Sequence, residues 1–277
     1  MSSSESCSFY SQPRLRSCSL LVSWNEDAGR LGPRTIDYLN LKLKSELFCE
    51  VEPDGFFHLG GVVVDDDVAE FPECKFYVCS EKSLVVFQGS SPRSEWYKFL
   101  NLLLDITSDV GCIRELYTIG GMVTLTTHAS NRQLMATSNS TEMKSILNDY
   151  DISQDLNYET PPGQRPTLSS YLLWVARKKN IPGASIWVPI PFYLLSAGDP
   201  RAHKKTLDFL NNRFNLDIDL SDKDEEIHQQ NTLIVQLANK FPELDELLHK
   251  LENKITLTED ENNRIIQLIQ EHVRKRE

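Results

Sequence analysis

The sequence predicts an α/β fold with a helical C-terminal extension, on three observations. The first is the stretch Ser19 to Pro33. Leu20-Leu21-Val22 and Trp24, broken only by Ser23, form a short buried-strand run, and Asn25-Glu26-Asp27 makes a polar turn. Small residues Ala28, Gly29 and Gly32 follow, and beyond them Ile36, Leu39 and Leu43 recur at helical spacing. Strand, Gly-containing turn and helix form the opening unit of a doubly wound domain. The second observation is that short apolar runs and amphipathic segments continue as far as Leu220. The third is that no strand-like run follows Ser221. Ligands of doubly wound sheets sit at the carboxyl ends of the strands, so Trp24, Asn25, Asp27 and Gly29 face the expected crevice.

Taken in order, residues 1–12 read as a disordered arm, rich in serine and without periodicity. After the first helix, Phe48-Cys49-Glu50-Val51 reads as a strand and Glu52-Pro53-Asp54-Gly55 as a turn. Phe56 to Val64 is apolar around Gly60-Gly61 and is interrupted by Asp65-Asp66-Asp67, read as a loop tip because its spacing fits no cation cage. Phe76 to Cys79 and Leu84 to Phe87, joined by four polar residues, predict a hairpin. Gln88 to Pro92 leads into a helix with Trp96, Phe99, Leu100 and Leu103 on one face. The turn Gly89-Ser90-Ser91 offers N–H groups to an anion, but an N-cap followed by proline explains the same residues.

Glu115 to Ile119 is the next strand, ending on Gly120-Gly121-Met122, where paired glycines permit close backbone approach. Val123 to His128 continues in β-type residues. His128 lacks a nucleophile or a second histidine at a recognisable spacing, so a structural histidine is the favoured reading. Glu142 to Leu147 predicts a short helix, and Thr167 caps another from about Leu168 to Lys179. Ile181 to Pro189 is a strand entered by a Pro-Gly turn and stopped by Pro189 and Pro191. Phe192-Tyr193-Leu194 follows, and Gly198-Asp199-Pro200 opens a helix in which Ala202, Leu207, Leu210 and Phe214 face the sheet.

From Asp222 to Glu226 the chain reads as a charged link. Leu233, Ile234, Leu237 and Phe241 then make one helical stripe. Pro242, at a first helical position, begins a second with Leu244, Leu247, Leu248, Leu251 and Ile255. Thr258-Glu259-Asp260-Glu261 is a capping box before a third stripe of Ile265, Leu268, Ile269 and Val273. The organisation expected is an arm over 1–12, an α/β domain over 13–222 and a helical subdomain over 223–277.

A chain of 277 residues with 40% hydrophobic and 25% charged residues suits a globular protein. Its net charge of −11 argues against nucleic-acid binding. The six cysteines contain no C-x-x-C pair, and inert thiols are expected rather than disulfides or metal ligands. Met1 to Ser8 is not a signal peptide, and no window approaches a membrane span. A cytoplasmic, soluble protein without metal or cofactor is expected.

Several stretches together resemble the proteasome assembly chaperone two family. They are Leu20 to Leu31 with Trp24, Asp27 and Gly29; Tyr117 to Arg132 with Gly120-Gly121-Met122 and His128-x-x-x-Arg132; and Trp187 to Leu194, followed by Asp199-Pro200 and Leu216 to Leu220. The resemblance runs from about Pro13 to Asp222. It is nearest to bacterial members, of the kind grouped with the ATP-grasp superfamily, in which an acidic helical tail is usual. It implies a three-layer α/β/α sandwich related to nucleoside-phosphorylase-like domains, self-assembly and no established catalytic residues. Eukaryotic relatives are chaperones in building the proteasome core particle. The tail of this chain, Lys275-Arg276-Glu277, departs from the hydrophobic-Tyr-any ending of proteasome-binding tails, which argues against docking by tail insertion.

Two functions follow. One is a non-enzymatic, assembly-chaperone-like scaffold acting as a homo-oligomer, with a possible protein partner and neither nucleic acid nor membrane. The other is a small-ligand binder or enzyme using a crevice lined by Trp24, Asn25, Asp27, Gly29, Gly60, Gly61, Gly120, Gly121, His128, Arg132 and Tyr193. Fold analogy suggests nucleoside-phosphorylase-like chemistry for the second. An ATP-dependent ligase is weaker, because no phosphate-binding loop or paired metal carboxylates stand out.

Overall fold

The computed structural model describes residues 7–52, 55–57, 63–65, 68–154, 159–161 and 163–273. Its elements run β1 (Cys7–Phe9), β2 (Ser17–Trp24), α1 (Leu31–Leu43), β3 (Glu46–Val51), β4 (Val63–Asp65), β5 (Val68–Glu70), β6 (Cys74–Cys79), β7 (Leu84–Gly89), α2 (Trp96–Val110), β8 (Cys112–Thr124), β9 (Leu134–Ser138), α3 (Thr141–Leu147) and β10 (Ile152–Ser153). They continue α4 (Leu168–Lys178), β11 (Gly183–Pro191), α5 (Pro200–Phe214), α6 (Ser221–Lys240), α7 (Pro242–Glu252) and α8 (Glu259–Val273). Nine strands form one sheet in the order β1-β3-β6-β7-β2-β8-β11-β9-β10, and β4 and β5 pair separately. Strand β2 runs parallel to both β7 and β8, whereas β6–β7, β3–β6 and β1–β3 are antiparallel. The sheet is therefore mixed, and the expected hairpin is the β6–β7 pair.

The chain divides into two compact units. The first comprises the described parts of Met1–Glu26, Gly32–Gly120 and Met135–Ile186. Here Cys18, Leu20, Val22 and Trp24 alternate onto one face of β2, where they share a core with Phe99, Leu100, Leu103 and Leu104 of α2 and Leu172, Leu173 and Ala176 of α4. Leu21 and Ser23 point the other way and are equally buried. Helix α1 lies on that second face: a Cβ on Gly32 would meet Ser23 Oγ at 2.5 Å. Helices on both faces of the sheet make a three-layer α/β/α sandwich.

The second unit comprises Asp27–Leu31, Gly121–Leu134 and Trp187–Glu277, the last as far as it is described. Asp199 caps α5 by accepting from the N–H groups of Arg201 and Ala202 at 3.0 and 3.1 Å. Helix α6 packs on α5, and α6, α7 and α8 pack on one another. The capping box before α8 is closed in both directions, with Thr258 N–H to Glu261 at 2.8 Å and Glu261 N–H to Thr258 Oγ1 at 3.3 Å.

Three expectations change. Cys7–Phe9, read as part of an unstructured arm, is a strand on β3, because backbone pairing along an open sheet edge needs no hydrophobic period. Strand β11 passes through Pro189 to Pro191: the proline ring fits extended backbone and costs only ladder donors. The charged run Asp222 to Glu226 is the start of α6, where acidic side chains suit the helix N-terminus. A domain boundary at 222/223 would thus fall inside a helix. Gly60 and Gly61, Asp66 and Asp67, and the basic tip Arg274 to Glu277 lie outside the described residues.

Candidate functional site

The crevice residues fall into two groups, one in each unit. Trp24, Asn25 and Gly120 belong to the first. Trp24 is a core residue whose indole N–H donates to Ser169 Oγ at 3.1 Å and whose ring meets Phe87 edge-on. Asn25 N–H donates to the Gly89 carbonyl at 2.9 Å. Glu26, missed in the sequence, accepts from Ser91 through both its N–H (2.9 Å) and its hydroxyl (2.8 Å). The turn after β7 therefore does hold an anion, and the anion is a carboxylate of this chain. Gly120 is buried within β8.

In the second unit, Asp27, Gly29 and Gly121 form one knot. Asp27 Oδ1 accepts from Gly121 N–H at 2.8 Å. Gly29 has φ +65°, and a Cβ there would meet Ile190 Cδ1 at 3.0 Å. At Gly121 a Cβ would sit 2.4 Å from the Ala28 carbonyl oxygen and 2.5 Å from Ile190 Cδ1. The close approach that paired glycines permit is here an approach between chain segments, filled by Ala28 and Ile190.

His128, Arg132 and Tyr193 form a second knot with Asp199 and Arg201. Arg132 Nε donates to Asp199 Oδ2 at 2.7 Å, with both side chains 1% exposed. Its terminal nitrogens donate to the carbonyls of Thr127 (3.1 Å), Ser130 (2.5 Å) and His128 (3.4 Å). Arg201 Nε reaches the His128 carbonyl at 3.1 Å. One guanidinium therefore closes the loop after β8 onto the head of α5. Tyr193 Oη accepts the His128 backbone N–H at 2.6 Å and lies 3.1 Å from Nδ1. The hydroxyl and Nδ1 therefore share a hydrogen bond whose direction depends on the ring tautomer. Burial, with Arg132 and Arg201 adding their charges, pulls the His128 pKa down to about 4. Burial pushes the Tyr193 phenol above its ordinary range. His128 is thus a neutral imidazole at pH 7, and its Nδ1 is occupied.

Within these knots Asp27 pairs with a backbone N–H, Arg132 with Asp199 and three carbonyls, and His128 with Tyr193 through its backbone N–H and Nδ1. Asp199 and Arg201 escaped the sequence reading as partners, although Asp199-Pro200 is legible as a helix start. The segment leaving the first knot carries Met122, Val123 and Leu125, which are 40%, 50% and 57% exposed.

A family model described as the PAC2 family matches residues 20–238. No curated protein matches the chain. Among solved structures, a Mycobacterium tuberculosis protein of unknown function is similar at 19% identity, covering 90% of each chain with a TM-score of 0.73. A proteasome-assembly chaperone homologue of the same organism is similar at 15% identity, covering 79% of this chain and 94% of its own, with a TM-score of 0.66. PbaB of Pyrococcus furiosus, described as an archaeal proteasome activator, is similar at 19% identity, covering 83% and 97%, with a TM-score of 0.63. At these identities the likeness is one of fold.

Proposed function

The chain belongs to the PAC2 family, and on that premise we propose that it is a non-enzymatic, assembly-chaperone-like scaffold that works as a homo-oligomer through protein–protein surfaces. The observation that carries this reading is the exposed apolar run Met122, Val123 and Leu125, mounted between two hydrogen-bonded knots, one half-buried and one buried. Apolar side chains held outward on a fixed segment are what an interface uses, since little ordering entropy is lost on docking. An acid–base site would instead hold a titratable group with a free valence near pH 7. His128 Nδ1, Arg132 and Asp199 are paired within the second unit, and on this reading Asp27, Gly29, Gly121, His128, Arg132 and Tyr193 serve as the framework of the docking element. The relatives described as a proteasome-assembly chaperone homologue and a proteasome activator support a role in assembling other proteins.

The test is native mass by light scattering on the intact chain and on Met122→Glu/Leu125→Glu, both at exposed positions. The expected result is a multiple of the 31.7 kDa protomer that falls to the protomer in the variant. A monomeric parent, or an oligomer that the two charges leave intact, overturns the reading.

A further inference from the structure

The heads of α2 and α4, within the first unit, border an open groove of about 610 Å³ lined by Arg93, Trp96, Tyr97, Lys98, Arg165 and Tyr171, among others. Its aromatic wall continues along α4. Trp96 lies 6.0 Å from Tyr171, which stacks on Trp174 at 5.1 Å with their planes 14° apart, and Trp174 lies 6.0 Å from Tyr97. Lys178 sits 3.9 Å above the Trp174 ring and fixes it further. Tyr97 and Trp174 remain 50% and 42% exposed.

The rim is basic, although the chain as a whole carries −11. Among the described residues, Arg93, Lys98, Arg165 and Lys178 form no ion pair, whereas neighbouring Lys179 is paired with Asp105. Glu95 is the one acid among the lining residues. No side chain caps α2, whose first turn opens on the same groove. Rings already stacked and cations without carboxylates are the two halves of a hot spot built from Trp, Tyr and Arg.

We propose that this groove docks an acidic peptide segment of a partner protein, which lays a tyrosine or proline on the ring ladder and sets its carboxylates against Arg93, Lys98, Arg165 and Lys178. Charge complementarity selects this occupant. Pairing the face with its own copy about a two-fold axis would oppose cations to cations. Four cations on an acidic chain are few for tracking a nucleic-acid backbone. The site is separate from the Met122–Leu125 run and stands whether or not the protein is an oligomer.

The experiment is fluorescence anisotropy of the intact protein with a labelled short peptide of glutamates around a Tyr-Pro pair. The same peptide with glutamines, and an oligothymidylate of equal length, are the comparators. Binding should weaken about tenfold or more for the glutamine peptide, for Trp174→Ala and for Arg93→Gln/Arg165→Gln, and should fall with added salt. Lys178→Gln, at an exposed position, should weaken it by a smaller factor and guards against misfolding of the others. Any of four results overturns the proposal: no binding up to about 1 mM, the limit of a useful contact; equal binding of the glutamine peptide; tighter binding of the oligothymidylate; or self-association that Trp174→Ala abolishes.

Discussion

Replacing Arg132 by methionine tests the second knot directly, because methionine keeps the length of the side chain and removes its charge and donors. Left behind are the Asp199 carboxylate, whose side chain is 1% exposed, and three carbonyls that have lost a donor. Losing one partner of a buried pair costs about 3–5 kcal/mol. Here Asp199 Oδ1 still accepts from Arg201 and Ala202 N–H, which places the loss near the lower end. A cost of about 3 kcal/mol lowers the folded-to-unfolded ratio roughly a hundredfold. Urea unfolding at pH 7, followed by circular dichroism and by the fluorescence of Trp187 in the same unit, reads it. Two comparisons decide whether burial is the cause. Lys204→Met breaks a pair with Asp224, whose side chain is 65% exposed, and should cost less than about 1 kcal/mol. Arg132→Met/Asp199→Asn keeps a cap acceptor and removes the orphaned charge, so it should be more stable than Arg132→Met alone. An Arg132→Met cost below about 1 kcal/mol, or a double variant that simply sums its parts, would refute the argument.

Tyr193→Phe removes the oxygen that accepts the His128 N–H, leaving a half-buried donor unpaired, and should cost about 1–3 kcal/mol in the same urea assay. His128 also predicts a pH dependence: its folded pKa of about 4 lies below the ordinary 6.5, so between these values the unfolded chain binds more protons. Stability contributed by the neutral ring is present above pH 6.5 and is lost as pH falls towards 4, by up to about 1.4 kcal/mol per pH unit; a His128→Gln variant should lack that slope. Gly121→Ala drives a methyl against the Ala28 carbonyl and Ile190 and should lower the unfolding midpoint by about 1–3 kcal/mol in equivalent free energy. Tolerance of alanine there would mean that the Ala28 turn shifts freely.

What was legible in the sequence was local. The β6–β7 hairpin, the Thr167 cap, Pro242 at the start of α7 and the Thr258–Glu261 box each depend on residues a few positions apart, and each formed where its signal stood. The two knots depend on pairs 94, 65 and 67 residues apart: Asp27 with Gly121, His128 with Tyr193, Arg132 with Asp199. No periodicity records such pairs, so the candidate residues were recognisable while their pairing, and Asp199 as a partner, was not. Grouping Trp24 and Asn25 with Asp27 followed chain proximity, yet the backbone passes from one unit to the other between Glu26 and Asp27. Cys7–Phe9 escaped because an edge strand needs backbone hydrogen bonds and little else.

The paired glycines and the motif residues around them admit two uses, and partner accounting separates these. In a site built for substrate, the donors and acceptors at the strand ends wait for a ligand, and the protein bears the cost of leaving them unpaired. Here the Gly121 N–H is taken by Asp27, the Ser91 N–H by Glu26, the His128 N–H by Tyr193, and Arg132 by four acceptors. Within the second unit, Gly121 to Asp27, His128 to Tyr193 and Arg132 to Asp199 join segments distant in sequence, while the three carbonyl bonds of Arg132 close its own loop. On the function proposed above, loops held in this way reduce the ordering entropy that association through exposed Met122, Val123 and Leu125 must overcome. On that same proposal, the polar residues around Gly121 and His128 hold their loops together, and the apolar segment between them is the part that would meet a protein partner.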